Sequence, residues 1–387
     1  MAGDRYARVR AALAEMRVAD SGGAAARAKE LGERALAMAK EDGDADGEAR
    51  ALVALAGLER WPQSLPYYEQ ALALEDRAED RRTMAQALDG VGAVKLRQND
   101  HAAAMASFVR AARIAEDVDD FATVMTSERA IGTLLQRQND YELSLVHLRR
   151  AYDLGMAHPG NRNILAQVLI DIGVAHSHQQ RLNEAKDALN KALAIADESQ
   201  ATLLQAEGHA TMGDVYLQAR DYPAAIKEME QGLAIAQAAK RVGVIPEIFD
   251  GLAVTKFEAG DAAGALAAAD QCAETAQRQN MDVVYFGCRI IAGKSHRILG
   301  HKDAALTAFS DAISMIDNLR GAILGGPGQR ANFLERARVP YGGAVDFLAE
   351  QGDVKGSLAL AERFKARILL DALHTDHPAQ PLTPAEQ

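Results

Sequence analysis

Histidine and acidic side chains lie close together near the C-terminal end of the chain, where they could hold a metal ion. His374 and His377 are three residues apart with Asp376 between them, and imidazole and carboxylate groups are common zinc ligands. No fourth ligand follows nearby, and the polar, Pro-rich tail is predicted to be disordered. His176 and His178 are two residues apart on one predicted helix and do not share a face. We expect no metal site.

Glycine-rich segments are the usual phosphate-binding candidates. Gly325-Gly326-Pro327-Gly328 lacks the Lys-Ser/Thr ending of a phosphate-binding loop and follows a predicted helix. Gly90 and Gly92 have no predicted strand before them, which a dinucleotide-binding fingerprint requires. We interpret the first segment as a flexible connector and the two glycines as helix-packing residues. No cofactor is expected.

Cys272 and Cys288 are the two cysteines of the chain and its candidate nucleophiles. A catalytic thiolate needs a neighbouring histidine that accepts its proton, and no histidine lies in register with either cysteine. We expect two small buried side chains in a reducing compartment, not a disulfide framework. The chain is therefore predicted not to be an enzyme.

The composition argues against several classes of partner. The 387 residues include 43 Lys and Arg against 54 Asp and Glu, a formal charge of -11. Nucleic-acid-binding domains usually carry a basic stripe, so no direct nucleic-acid partner is expected, and Arg77, Arg81 and Arg82 are predicted to lie on a solvated helix face. No apolar run approaches about eighteen residues and the N-terminus lacks a signal pattern. We expect a cytoplasmic protein with no membrane partner.

A repeat of about 40 residues organises the elements that would position any functional residue. Small residues mark it at Gly92, Gly132, Gly173, Gly213, Ala253 and Gly293. A second series follows twelve positions later, at Ala104, Ser144, Ala185, Ala225, Ala265 and Ala305. Self-similarity at this period indicates a solenoid of helix pairs, and small residues allow two helices to approach closely. Polar turns such as Asn99-Asp100 would separate the helices of a pair.

The repeat has Gly at its eighth position, Tyr three residues later in one unit (Tyr216), Ala at the twentieth position and Phe at the twenty-fourth in two units (Phe108 and Phe309). This pattern resembles the tetratricopeptide repeat (TPR) over about residues 50–319. The period exceeds the usual ~34 residues and the consensus Pro is absent. The resemblance implies an all-α fold, a right-handed α-solenoid of about eight to nine helix pairs.

We divide the chain into three parts. Residues 1–320 are predicted to form the TPR solenoid, residues 321–373 a C-terminal helix pair reached after a change of period, and residues 374–387 a disordered tail. The helices expected outside the regular repeats are Tyr6–Met16, Ala24–Lys40, Gly47–Arg60, Gln63–Ala78, Ala331–Glu350 and Val354–Leu373.

The C-terminal pair carries a second resemblance. Residues 329–373, and above all the run Glu362-Arg363-Phe364-Lys365-Ala366-Arg367-Ile368-Leu369-Leu370-Asp371-Ala372-Leu373, are similar to the segment that joins TPRs to CHAT domains, which are caspase-like peptidases found mostly in bacteria. That family needs a His-Gly pair and a separate Cys. None of the ten histidines is followed by Gly, so we interpret this chain as the repeat arm without the peptidase domain.

The TPR resemblance implies that the first helix of each pair lines a concave groove. The candidate groove residues are Arg129, Gln136, Ile170, Val174, Ser177, Asp214, Leu217, Asp250, Phe257 and Arg297. An apolar strip through Ile170, Val174, Leu217, Val254 and Phe257 has two interpretations, a seat for a helix or peptide or packing internal to the superhelix, and the sequence favours neither.

Function is thus predicted to depend on surfaces. The first hypothesis is a non-catalytic scaffold that binds a protein or peptide partner in the groove and regulates a CHAT-type peptidase. The alternative is an independent adaptor or peptide receptor with no protease. On the last helix, Leu358, Ala361 and Phe364 are expected to pack inward. Leu360, Phe364, Leu370 and Leu373 form the predicted C-terminal interface, for a peptidase domain or a second copy of the chain.

Overall fold

The computed structural model describes residues 2–59, 62–320, 339 and 341–376, and the side chains within 7–59, 62–315, 339 and 341–366. All regular structure in the described residues is helical, which confirms the prediction of an all-α solenoid. The chain divides into two compact units, Met1–Leu204 and Gln205–Gln387, each of which is built from consecutive antiparallel helix pairs.

Unit 1 contains five helix pairs. Its helices are α1 (Ala2–Ser21), α2 (Ala25–Asp42), α3 (Ala45–Leu58), α4 (Leu65–Leu72), α5 (Arg81–Arg97), α6 (His101–Asp117), α7 (Phe121–Arg137), α8 (Tyr141–Ala157), α9 (Arg162–His178) and α10 (Leu182–Glu198). A single 3-10 turn, Pro159–Asn161, precedes α9.

Helix α11 (Thr202–Gln218) begins in the last residues of unit 1 and continues into unit 2. The later helices are α12 (Tyr222–Ala238), α13 (Ile245–Glu258), α14 (Ala262–Arg278), α15 (Asp282–Ile298), α16 (Lys302–Arg320), α17 (residues 341–350) and α18 (Val354–Asp376). The part of the expected helix Ala331–Glu350 that precedes residue 339, and the Gly325–Gly328 connector, lie outside the described residues.

Two of the expected helices differ from the structure by five residues or more at their C-terminal end. Helix α1 ends at Ser21, beyond the predicted end at Met16, and the turn that follows contains Gly23, whose φ of +76° favours glycine. Helix α4 ends at Leu72 instead of Ala78. The Asp46 carboxylate accepts hydrogen bonds from the backbone N–H groups of residues 79 and 80 at 2.7 and 2.9 Å, which anchors the segment before α5 to α3.

The turns within the pairs follow the chemistry that the sequence predicts. Asn99 and Asn139 adopt left-handed φ values of 58° and 63°, which end the preceding helix. The next residues, Asp100 and Asp140, cap the following helix by accepting a hydrogen bond from the N–H three residues later, at 3.2 and 3.1 Å. Three residues between the helices therefore reverse the chain.

The small residues of the repeat lie where the two helices of a pair cross. An ideal Cβ on Gly132 would lie 2.8 Å from the Leu148 side chain, and one on Gly213 would lie 2.5 Å from Met229. The same relation holds for Gly92 with Phe108, Gly173 with Leu189 and Gly293 with Phe309. In each pair, the large side chain on the second helix thus fills the space beside the glycine on the first helix.

The prediction of two unpaired thiols is wrong. Cys272 on α14 and Cys288 on α15 form a disulfide with a Cα–Cα distance of 5.8 Å, and both are fully buried. The two residues lie eight positions on either side of Asn280, whose φ of 55° reverses the chain. Antiparallel packing of α14 and α15 therefore places them opposite each other.

Candidate binding groove

The first helices of neighbouring pairs contact one another within each unit. In unit 1, α1, α3, α5, α7 and α9 form one continuous face, and in unit 2, α13 packs against α15. We call these faces the unit 1 groove and the unit 2 groove, the latter including the part of α11 that belongs to unit 2. Of the predicted groove residues, those from Arg129 to Ser177 lie in the unit 1 groove and the others in the unit 2 groove.

Arg129 and Gln136 of α7 meet at one residue of α9 that was not among the predicted groove residues. The Arg129 guanidinium lies 3.1 Å from the Asp171 carboxylate, and Gln136 donates to the Asp171 backbone carbonyl at 2.8 Å. Burial raises the pKa of Asp171, although Arg129 and the Thr133 hydroxyl oppose the shift. This polar network joins α7 to α9, so both predicted residues already have partners in the protein.

The other three predicted residues of the unit 1 groove are largely enclosed. Ile170 is 8% exposed and Ser177 3% exposed, and Val174 is half-buried. In the part of the chain that the structure describes, the Ser177 hydroxyl has no hydrogen-bond partner. For Ile170, the structure favours packing internal to the solenoid over contact with a partner.

A cavity of about 780 Å³ in the unit 1 groove is lined by several arginines. Arg50 pairs with Asp80 at 2.5 Å. Arg81 and Arg82, the residues expected on a solvated face, are half exposed and pair with Asp117 and Asp120 at 3.1 and 3.9 Å. Since most of these guanidinium groups have a nearby carboxylate, the positive charge of the cavity is largely balanced.

The unit 2 groove contains acidic groups without such partners. Asp214 on α11 and Asp250 on α13 were predicted groove residues, and Glu247 lies one turn before Asp250 on the same helix face. Burial, followed by the nearby charges of Asp250 and Glu247, raises the pKa of Asp214 to about 7. Burial and then Glu247 raise the pKa of Asp250 to about 6, and burial raises the pKa of Glu247. The Asp250 Oδ1 atom has no solvent access and no hydrogen-bond partner among the described residues.

The remaining predicted residues of the unit 2 groove differ in availability. Leu217 and Phe257 are half-buried, and the Lys294 ammonium lies 5.7 Å from the centre of the Phe257 ring. Arg297 is ion-paired with Glu350 of α17. Phe257 and Leu217 therefore offer apolar surface beside the carboxylates, whereas Arg297 ties α15 to the C-terminal helices.

The predicted set of groove residues omitted Glu247 and also Glu207, which lies one turn before Ala210 and two turns before Asp214 on α11. The signal that could have found them is the helical spacing itself, because both lie six positions before the small residue of their repeat, Gly213 or Ala253. The predicted set began three positions before the small residue and so stopped one turn short.

The C-terminal interface residues are described only in part. Leu360 and Phe364 are half-buried against a core that contains Phe309 and Tyr341, and the rings of Tyr341 and Phe364 stack at 4.7 Å. The side chains of Leu370 and Leu373 lie outside the described residues. The expectation that Leu358 packs inward is wrong, because it is 61% exposed.

We expect the raised pKa of Asp214 to give a characteristic pH dependence of stability. Its folded pKa of about 7 lies above the ordinary value of 3.8, so the folded state binds more protons than the unfolded state between these values. This stabilisation is complete below the ordinary value and is lost as the pH rises through about 7. Urea unfolding at a series of pH values should therefore show that the free energy of unfolding falls less with rising pH for Asp214→Asn than for the wild type.

The matched control for this measurement is Asp187→Asn, at an exposed acidic residue on α10. Its pH dependence should equal that of the wild type. If the pH dependence of Asp214→Asn also equals that of the wild type, the pKa of the Asp214 carboxylate is not raised in the folded protein.

Comparison with known proteins places these features in a known fold. Residues 123–198 match the family described as tetratricopeptide repeat, and no curated protein matches the chain. One similar solved structure is a Rap protein in complex with competence and sporulation factor, at 14% identity and a TM-score of 0.62, with 92% of this chain and 97% of that chain covered. The apo form of RapI is similar at 14% identity and a TM-score of 0.59, with coverages of 93% of this chain and 98% of that chain. Aspartyl phosphate phosphatase F from Bacillus subtilis is similar at 13% identity and a TM-score of 0.54, with coverages of 74% of this chain and 75% of that chain.

These comparisons support a TPR protein. The family match covers residues 123–198, and at identities of 13 to 14% the likeness to the three solved structures is one of fold. Within the described residues, no helix is both long enough and apolar enough to cross a membrane.

Proposed function

We propose that this chain is an adaptor whose unit 2 groove binds an extended segment or helix of a protein or peptide partner. The observation that carries the proposal is the set of groove carboxylates without a cationic partner, Asp214, Glu247 and Asp250, beside the half-buried apolar side chains Leu217 and Phe257. Asp214 and Glu247 are exposed and Asp250 is half-buried, so acidic groups that have no cationic partner among the described residues lie together on one accessible face, as is typical of a binding surface.

The similarity to the Rap complex adds support from a different direction. A Rap protein of the same fold was solved with competence and sporulation factor bound, so a helix-pair solenoid of this length is compatible with holding a second molecule. Fold alone does not assign a ligand, and the groove side chains of this chain must supply the recognition.

The finer part of the proposal concerns the C-terminal end. Because residues 329–373 resemble the segment that precedes CHAT domains, we propose that α18 transmits partner binding to a caspase-like peptidase of that type. Val354 and Leu358 are 70% and 61% exposed on α18 and provide an apolar contact surface. An independent adaptor with no protease is the alternative.

A single set of variants tests both parts. Leu217→Asp with Phe257→Asp should abolish copurification of the partner from the source organism, because two charges enter the apolar part of the groove. Val354→Asp with Leu358→Asp should spare that binding but abolish any partner-dependent cysteine peptidase activity. Quantitative mass spectrometry and a peptidase assay on the same preparations provide the two readouts.

The control is Val109→Asp with Val146→Asp, which places two charges on the second helices of two pairs. Val109 and Val146 are 51% and 59% exposed. It should retain both binding and activity. If the groove variant still binds the partner, the groove proposal is wrong. If peptidase activity is absent from the wild-type complex or unaffected by the α18 variant, the transmission proposal is wrong and the independent adaptor is favoured.

A further inference from the structure

Three successive helices of unit 2 bring one carboxylate and both cysteines together. Asp250 lies on α13, Cys272 on α14 and Cys288 on α15. One carboxylate oxygen and the two sulfurs all lie within 4.8 Å of one another, and no other three His, Cys, Asp or Glu side chains in the described ranges come this close. Atoms that can bind a metal ion therefore converge at this point of the fold.

The repeat itself explains why Asp250 reaches Cys288. Asp250 lies three positions before the small residue of its repeat, and Cys288 lies five positions before the small residue of the next repeat. The residues at the same two positions in an earlier pair of repeats are Asp89 and Ser127. There the Ser127 hydroxyl donates to the Asp89 carboxylate at 2.6 Å. The scaffold thus places these two positions in direct contact.

Asp250 lacks the donor that Asp89 has. The Oδ1 atom of Asp250 is shielded from solvent and has no hydrogen-bond partner among the described residues. In the disulfide the Cys288 sulfur carries no hydrogen, so it cannot donate as the Ser127 hydroxyl does. A buried acceptor without a partner is costly to a fold. The orphaned oxygen therefore points to a cation or a proton donor that the oxidised protein does not supply.

The distances suit a tetrahedral zinc ion once the disulfide is reduced. Zinc binds thiolate sulfur at about 2.3 Å and carboxylate oxygen at about 2.1 Å, so two ligand atoms of one ion lie about 3.6–3.8 Å apart. Reduction frees each cysteine side chain to rotate about its Cα–Cβ bond, and the Cα–Cα distance of 5.8 Å is compatible with sulfurs at that separation. Two thiolates with one carboxylate favour zinc over magnesium or calcium.

Apolar side chains enclose the sulfurs. Cys272 and Cys288 are fully buried, and Phe249, Val284 and Tyr285 pack against them. Asp250 is half-buried and belongs to the unit 2 groove. An apolar shell restricts the access of water to a metal site, while the groove side gives an ion a way in.

We propose that reduction of the Cys272–Cys288 disulfide creates a zinc site whose protein ligands are the two thiolates and the Asp250 carboxylate. A dithiol reductant transfers two electrons and two protons to the disulfide, which becomes two thiols while the reductant becomes a disulfide. Zinc then displaces the two thiol protons and bonds to both sulfurs and to one carboxylate oxygen. Water takes the fourth position. The ion replaces the covalent link between α14 and α15 and adds α13 to it.

The experiment uses the full chain and Co²⁺, which occupies zinc sites and absorbs strongly when thiolates bind it. The protein is reduced with a phosphine, transferred to oxygen-free buffer and titrated with Co²⁺. We expect thiolate-to-cobalt absorption that saturates at a single ion per chain, disappears when Zn²⁺ is added and does not develop in the oxidised protein. Circular dichroism verifies that the reduced chain remains helical.

Substitutions at the carboxylate test the third ligand. Asp250→Asn should weaken zinc affinity by about tenfold or more, since even groups that only orient a ligand account for about 10–100-fold of metal affinity. Asp89→Asn is the matched control, because it changes the carboxylate at the same repeat position beside a serine. Its zinc affinity should equal that of the wild type. Cys272→Ala with Cys288→Ala should show no thiolate-to-cobalt absorption.

Urea unfolding provides a readout that does not depend on cobalt. Free Zn²⁺ should raise the urea midpoint of the reduced wild type, because an ion that binds the folded chain more tightly than the unfolded chain stabilises it. The midpoint of the oxidised protein should not respond, since its sulfurs are bonded to each other. For reduced Asp250→Asn the rise should be smaller.

Two results would overturn the zinc site. If the reduced wild type shows no thiolate-to-cobalt absorption, these side chains form a thiol hydrogen bond, as the hydroxyl does at Asp89, and do not bind an ion. If the absorption develops but Asp250→Asn and Asp89→Asn bind zinc equally well, the sulfurs alone take up the metal and the three-ligand site is wrong. Neither result bears on the partner groove, whose test uses Leu217 and Phe257.

Discussion

Replacing Gly213 by leucine should destabilise the protein by about 1–3 kcal/mol or more, the usual cost of overpacking a well-packed core. The new Cβ would lie 2.5 Å from Met229 Cγ and 3.1 Å from the Ala225 backbone carbonyl oxygen. Met229 is 1% exposed and cannot move into open space, and the carbonyl belongs to α12. Only separation of α11 from α12 relieves the overlap. Urea unfolding followed by far-ultraviolet circular dichroism measures the loss.

Gly57→Leu is the matched control, because no atom lies within 4 Å of a Cβ at that position on α3. Its free energy of unfolding should stay within about 0.5 kcal/mol of the wild-type value, as for most exposed substitutions. Equal midpoints for the two variants would show that Gly213 is not at the helix crossing.

The second large effect is expected on reduction of the Cys272–Cys288 disulfide. The two residues are 16 positions apart, and a cross-link closing a loop of this size stabilises by about 3 kcal/mol, chiefly by restricting the unfolded chain. Dithiothreitol should therefore lower the urea midpoint of the oxidised protein. Thiol titration of the denatured, unreduced protein should detect no free thiol.

Cys272→Ala with Cys288→Ala provides the control for this measurement. Alanine already occupies the position equivalent to Cys272 in other repeats, as at Ala111 and Ala151. The midpoint of the double variant should not respond to dithiothreitol. The disulfide would be contradicted if dithiothreitol left the wild-type midpoint unchanged and two free thiols were titrated before its addition.

The effects of Gly213 and of the turns could be predicted from the sequence because both depend on local spacing. A glycine every 40 residues and a large side chain sixteen positions after it, as in Gly132 and Leu148, are sufficient to define how one helix crosses the next. Asn99 and Asp100 likewise act through hydrogen bonds to residues within a few positions. The sequence therefore determined the all-α solenoid, its period and the helices that form the grooves.

Tertiary structure decided which groove residues are available. Arg129 and Asp250 both lie three positions before the small residue of their repeat, yet Arg129 pairs with a carboxylate of the next helix pair whereas no cation acts on Asp250 among the described residues. The ion pairs and burial of the groove residues, and the Cys272–Cys288 bond, depend on side chains that come together from different helices. A repeat pattern does not encode the distances between those side chains. Local spacing fixes the scaffold because its interactions are near in sequence, whereas the charge of the site arises from contacts between helix pairs that only the folded chain creates.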